Sequence, residues 1–205
     1  MKVIALNGSP KPRGNTYLSL KTVCDELELH NIETEIIQVG NMELKGCISC
    51  NQCSEGHCKF SDDTFREIVN KIYAADGLIL GSPVYYASIA GTMKNFLDRT
   101  FYPSRGRMRL KVGAAVAVLR RSGGVTTFDQ LNHYFLISEM MVAPSYYWNA
   151  IHGAIPDQVL EDAEGISVLR NLAVNMAWML KIKDYSKESY PLPDQVKRSY
   201  TNFIR

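Results

Sequence analysis

The sequence predicts an α/β fold, a doubly wound parallel sheet of five strands with helices on both faces. Three observations lead there. Five short apolar runs of strand length alternate with five stretches of helical period. The first and third runs end in the same punctuation, Gly8-Ser9-Pro10 and Gly81-Ser82-Pro83. The 205 residues, 46% hydrophobic and 21% charged, suit one well-filled domain, 1–205.

Taken in chain order, Val3–Asn7 reads as a buried strand, and Leu18, Val23, Leu27 and Leu29 place a helix over about 15–30. Thr34–Val39 is a second strand. Residues 41–60 have no sustained period and form a long loop, a length that usually signals function. Asp62 or Asp63 caps a helix through Phe65, Ile68, Val69 and Ile72. Gly77–Gly81 is the third strand, followed by a helix over about 88–101, a fourth strand at Val112–Leu119 and a helix over about 126–140. Val142–Trp148 supplies the fifth strand, a last helix lies within 156–180, and 181–205 form a C-terminal extension. Right-handed crossovers favour double winding. Strand order 2-1-3-4-5 is one of two common arrangements and would set a ligand crevice beyond the carboxyl ends of strands one and three.

A formal charge of +2 gives no reason to expect nucleic acid or an acidic membrane as partner. No apolar run reaches spanning length, and the apolar stretch at the N-terminus is too short for a signal peptide. The expected location is the cytoplasm.

The loop Asn7–Thr16 joins a strand to a helix start, where free amides and the helix dipole favour an anion. Ser9, Asn15 and Thr16 add short donors, Lys11 and Arg13 add charge, and Gly14 permits close approach. The loop lacks both the Gly-Lys-Ser/Thr ending and the G-x-G-x-x-G fingerprint; a monophosphate site is the better reading, beside a plain polar turn with Asn or Thr as helix cap. Across the crevice, Pro83, Val84, Tyr85 and Tyr86 offer surface for a flat heterocycle. A third loop, Arg120–Gly124, lets backbone approach through Gly123 and Gly124; its arginines either face a reduced, anionic ring or are simply solvated.

The set Gly8-Ser9-Pro10, Gly14-Asn15-Thr16, Gly81-Ser82-Pro83-Val84-Tyr85 and Lys94-Asn95-Phe96-Leu97-Asp98-Arg99 resembles the NAD(P)H-dependent FMN reductase branch of the flavodoxin-like superfamily over roughly the first 150 residues. The resemblance implies FMN, with phosphate contacts from Ser9, Lys11, Asn15 and Thr16 and ring contacts from Pro83, Val84, Tyr85 and Tyr86. It also implies NAD(P)H as a transient cosubstrate and a homodimer or homotetramer. Asp98 and Arg99 are expected to be structural, as an ion pair on a helix surface. Tyr146-Tyr147-Trp148 and Met140-Met141 are either flavin caps for a neighbouring subunit or ordinary core and interface residues.

Cys47, Cys50, Cys53 and Cys58 crowd into twelve residues, while Cys24 sits alone in a helical pattern as a small core residue. In a reducing compartment such a cluster reads as a metal or redox site. Within this context it resembles the iron–sulfur flavoproteins, which implies a [4Fe-4S] cluster. Zinc assisted by His57, or free thiols, are the other chemistries open to the loop. The expected function is therefore an FMN-dependent oxidoreductase carrying electrons from NAD(P)H or another donor to a quinone, nitroaromatic, oxygen or protein. The alternative is an iron–sulfur flavoprotein passing single electrons to a ferredoxin-like partner.

Overall fold

The computed structural model describes residues 1–197, 199 and 201. The chain runs β1 (Lys2–Asn7), α1 (Asn15–Leu29), β2 (Glu33–Gln38), α2 (Asp63–Ala74) and β3 (Gly77–Tyr85). A short β4 (Ser88–Ile89) precedes α3 (Gly91–Phe101) and a 3-10 turn at Tyr102–Ser104. β5 (Val112–Leu119), α4 (Gly124–Ile137), β6 (Met141–Val142), β7 (Ala150–His152) and α5 (Ala163–Ser186) follow, with a second 3-10 turn at Gln158–Glu161.

The sheet order is β2-β1-β3-β5-β6, with β7 also parallel to β5 and β4 antiparallel to β3. Setting the β4 hairpin strand aside, this is the expected 2-1-3-4-5 order. The pleat explains the layers, because successive side chains leave opposite faces of a strand. Val3 and Ala5 of β1 join a core with Leu20 and Val23 of α1 and Leu169, Leu172 and Met176 of α5. Ile4 and Leu6 join the opposite core, with Phe65 and Ile72 of α2, Phe96 and Leu97 of α3, and Leu131 and Phe135 of α4. Cys24 lies in the first core, 3% exposed. The rings of Phe65 and Phe96 meet at 4.8 Å in a tilted pair that ties α2 to α3.

Four expectations change. β3 continues past Gly81 to Tyr85 and turns back into β4, so Pro83, Val84 and Tyr85 are strand residues and α3 starts only at Gly91. Pro83 is tolerated there because β1 stops pairing at Asn7↔Gly81, which leaves one edge of β3 without a ladder. The helix expected over 126–140 runs from Gly124 to Ile137. The single fifth strand Val142–Trp148 is split into β6 and β7. Pro144, which has no N–H for a ladder, begins a detour that the Asn149 side chain closes by donating to Ala115 O (3.0 Å). Tyr146, Tyr147 and Trp148 are left exposed on that detour. Finally, α5 reaches Ser186, so the extension begins at Lys187 instead of Lys181, and its residues 198, 200 and 202–205 lie outside the described residues.

Candidate functional site

The first loop is set by a buried polar frame that the sequence reading did not pick out. Asn7, the last residue of β1, is 0% exposed. Its Oδ1 accepts from the Ser9 N–H (3.1 Å), and its Nδ2 donates to Gln38 Oε1 (2.6 Å) at the end of β2. Gln38 Nε2 in turn donates to Ser9 O (2.6 Å), and Ser9 Oγ accepts from the Lys11 N–H (3.2 Å). A buried amide ending an apolar strand, with a glutamine ending its neighbour, was the available signal. The loops after β1 and β2 touch each other, and the first touches β3, through backbone. Gly8 N–H donates to Gly81 O (2.8 Å), and a Cβ at Gly40 would sit 2.3 Å from the Gly8 carbonyl.

α1 begins without a side-chain cap. Gly14 holds the N-cap position and Leu18 N–H is the amide that reaches its carbonyl (3.1 Å), so the amides of the first turn face the loop. Thr16 is buried and Lys11 exposed. Asn15 departs from its expected role: its Nδ2 donates to Ile155 O (2.9 Å), and its Oδ1 is buried without a partner. The same absence of a side-chain cap holds for α3 and α4. In contrast, Asp62 caps α2 through the Phe65 N–H (2.7 Å), and Asp162 caps α5 through the Gly165 N–H (2.9 Å). The uncapped helices are α1 after β1, α3 after the β3–β4 hairpin and α4 after β5, so their starts all lie beyond the carboxyl ends of the three central strands.

The other wall is the β3–β4 hairpin. Its two-residue turn, Tyr86-Ala87, has φ of 49° and 57°, the left-handed pair of a type I′ turn made without Asn or Gly. Tyr86 is fully exposed and Tyr85 half-exposed; Pro83 and Val84 are half-buried. Thr126 Oγ1 donates to Ala87 O (2.9 Å) and Ser88 Oγ to Gln130 Oε1 (2.7 Å), which fastens the hairpin to α4. Gly123, at φ 84°, lies so close that a Cβ would come within 2.8 Å of Ala87 Cα. Gly124 is buried as the first residue of α4, whereas Arg120 and Arg121 stay in solvent. The three loops therefore meet, with apolar strand and aromatic surface on one side and unpaired amides on the other.

The four clustered cysteines line a separate cavity of about 480 Å³ beside α3. Cys58 is buried, Cys50 and Cys53 are half-buried, and Cys47 is exposed. Burial, followed by the neighbouring Cys58, Cys50 and Cys47, pushes the Cys53 thiol above its ordinary range. Among the described residues no three His, Cys, Asp or Glu side chains converge on a single ion. His57 packs its ring at 5.9 Å from Tyr73, with its Nδ1 buried and unpartnered. A [4Fe-4S] core asks for something different, one thiolate per iron around a shared void, and the donor set fits that demand. The loop end is a tight turn in which Ser54 and His57 pair, anchored by Tyr73 OH donating to Gly56 O (2.6 Å). Burial lifts the Tyr73 hydroxyl to about 12, so it stays a donor.

The expected Asp98–Arg99 ion pair does not form. Asp98 accepts from Lys94 (2.8 Å) and from Tyr134 OH (2.5 Å), while Arg99 turns inward beneath the cysteine loop. Adjacent residues on a helix point about 100° apart, so they rarely share a partner.

Residues 1–154 match the NADPH-dependent FMN reductase family. The chain belongs to that family. Among its relatives, this reductase-family chain is 39% identical over 191 residues to an iron–sulfur flavoprotein of Methanocaldococcus jannaschii, covering 89% of this chain and 98% of that one. It is 31% identical over 183 residues to an iron–sulfur flavoprotein of Archaeoglobus fulgidus, covering 86% and 90%. An FMN-dependent NADPH-azoreductase of Staphylococcus aureus is 28% identical over 141 residues, covering 67% and 69%. The structure of RosB with a bound formylated flavin phosphate superposes with a TM-score of 0.72 at 16% identity, covering all of this chain and 94% of that one. An archaeal flavodoxin superposes with a TM-score of 0.59 at 17% identity, covering 88% and 99%; at these identities the likeness is one of fold. The chain is an FMN-dependent oxidoreductase with a flavodoxin-like fold. No helix among the described residues is long and apolar enough to cross a membrane.

Proposed function

We propose that FMN lies across the carboxyl edge of β1, β3 and β5. Its phosphate is held by the Ser9 hydroxyl and the first-turn amides of Asn15 and Thr16, with Gly14 giving access and Lys11 adding charge at the rim. Its ring rests on Pro83, Val84, Tyr85 and Tyr86, and Gly123 and Gly124 admit backbone to its polar edge. The observation that carries this reading is the clustering of uncapped helix starts behind the three central strands while the outer helices are capped by Asp62 and Asp162. Asn15 serves through its backbone, because its side chain is engaged by Ile155.

Bound FMN supplies hydride and single-electron chemistry at its ring. The residues of the chain orient the nucleotide, and the open face beside Tyr85 and Tyr86 leaves room for a nicotinamide to stack from NADH or NADPH. The acceptor is a quinone, a nitroaromatic, oxygen or a protein. The exposed aromatics Tyr85, Tyr86, Tyr146, Tyr147 and Trp148 favour a homodimer or homotetramer that covers the ring.

Two features favour a second redox centre, a [4Fe-4S] cluster on Cys47, Cys50, Cys53 and Cys58. One is the set of four thiols around a single cavity; the other is the 39% identity to an iron–sulfur flavoprotein. Such a centre would relay single electrons to a ferredoxin-like partner.

Thermal unfolding with FMN and with riboflavin tests the phosphate site. FMN at a hundredfold excess over its Kd is expected to stabilise the fold by about 2.7 kcal/mol, and riboflavin at the same concentration by much less. Equal stabilisation by both would overturn the phosphate assignment. Iron and sulfide analysis with an absorption spectrum, on anaerobically prepared protein, separates flavin alone from flavin with a cluster.

A further inference from the structure

Arg99 lines the cysteine cavity, and Arg105 and Arg107 sit against the loop that carries the thiols. Arg99 projects from α3 with only 6% exposure. Its terminal nitrogens donate to the carbonyls of Phe60 (2.7 Å) and Lys45 (3.3 Å), its guanidinium lies 4.7 Å over the Phe65 ring, and its Nε–H is buried with no acceptor. Arg105 donates to Cys53 O (3.4 Å) from outside the loop. Arg107 stacks on Tyr73 at 5.5 Å, and a Cβ at Gly56 would come within 2.7 Å of its Nη1.

Among the described residues no carboxylate lies within ion-pair distance of these three arginines. The next arginine, Arg109, does have one, pairing with Glu139 at 2.7 Å. The acidic residues that line the cavity, Glu43 and Asp62, are both exposed, and Asp62 accepts from the Phe65 amide as the cap of α2. A desolvated guanidinium without a counter-charge is strongly unfavourable. Neutral thiols would leave Arg99 in that state; an anion seated on the four cysteines would not.

We propose that Arg99, Arg105 and Arg107 form a cationic cradle that compensates an anionic iron–sulfur cluster and raises its reduction potential toward that of the flavin. This rests on the cluster reading above. A [4Fe-4S] core with four thiolates is dianionic when oxidised and trianionic after taking one electron. A reduced flavin supplies its two electrons one at a time, losing one proton to solvent for each, the second electron going to a second turnover of the cluster; no bond to the protein forms or breaks. Nearby positive charge stabilises the trianion more than the dianion, so it favours electron uptake. The effect is graded. Arg99 acts from a desolvated position, whereas Arg105 and Arg107 are exposed and screened by salt.

The experiment is a redox titration followed by electron paramagnetic resonance on the full chain, reconstituted anaerobically with iron and sulfide. Arg99→Gln is expected to lower the equilibrium constant for cluster reduction at least tenfold, a fall of about 59 mV for one electron. Arg99→Lys, which keeps the charge, recovers most of that loss. Arg105→Gln gives a smaller fall that shrinks as salt is raised, and it carries the test if Arg99→Gln does not fold. Iron-loaded variants with wild-type potentials would overturn the cradle and leave the cluster standing. A wild-type protein that takes up no iron would overturn the cluster reading itself, and the cradle with it.

Discussion

Asn7 shows how one residue can hold the loop proposed to bind the phosphate without being one of the donors expected to touch it. Its side chain joins β1, β2 and the first loop through Gln38 and Ser9. Asn7→Ala leaves the buried Ser9 N–H without its partner, a cost of about 1–3 kcal/mol, and frees the half-buried Gln38 Oε1 as well. The expected result is a lower unfolding midpoint together with FMN affinity weakened about tenfold or more, since 1.4 kcal/mol is a factor of ten. Fluorescence titration with FMN reads the second quantity, and an unchanged Kd would remove Asn7 from the site. Serine, asparagine and threonine in the loop could be picked out in the sequence as candidate phosphate donors because their chemistry is local, although the Asn15 side chain turns to Ile155 instead. The frame behind them was not, because Asn7 and Gln38 are 31 residues apart and meet only through strand pairing. The true partners of Arg99 were hidden for the same kind of reason: its place in a helix is visible in the sequence, but the loop that folds over it is not.

At the scale of elements, the β3–β4 hairpin departs most from what its residues prefer. Tyr86 and Ala87 both occupy left-handed backbone, a conformation that costs a non-glycine residue roughly 1 kcal/mol or more. The turn is retained because Thr126 and Gln130 of α4 hold it from outside. Replacing Tyr86-Ala87 with Asn-Gly, the pair that type I′ geometry favours, should stabilise the apoprotein by about 1–2 kcal/mol in denaturant unfolding. It should also weaken FMN binding through loss of the tyrosine. A destabilised variant would mean that the strain lies elsewhere. The hairpin was hidden in the sequence because Gly81-Ser82-Pro83 reads as a stop, whereas in the sheet it is the point where β3 loses β1 and keeps β5. The divided fifth strand has a comparable origin, an Asn149 side chain standing in for a rung of the ladder.

For the molecule as a whole, acid stability follows from carboxylates that the fold holds ionised. Lys71, burial and Lys2 act on Glu35: the hydrogen bond from Lys71 leads, burial opposes it, and Lys2 adds to it, so its carboxyl titrates below the ordinary range. For Asp162 burial is the largest influence and would raise it. The amides of Gly165 and His152 and the His152 ring together outweigh burial, so it too titrates low. Groups depressed in the folded state contribute stability that is complete above the unfolded value near 4. That stability is lost as pH falls through the folded value. Unfolding midpoints should therefore drop steeply below about pH 4, and Asp162→Asn should flatten part of that drop. Equal slopes for the variant and the wild type would rule out Asp162 as a contributor. Asp162 matters at this scale because it links the end of β7 to the start of α5 through His152 and Gly165.

The sequence by itself determined the layered α/β architecture and the extent of β5, and it supplied the expectation of an anion site before α1 and of redox chemistry at the cysteine loop. Each of these depends on neighbours in the chain: hydrophobic period, turn residues and donor spacing act within a few residues of one another. Tertiary structure decided which polar groups are buried, which helix starts stay uncapped, how far β3 runs and which charges face the thiols. Those properties arise from segments distant in sequence excluding water between them, and desolvation belongs to the packed whole.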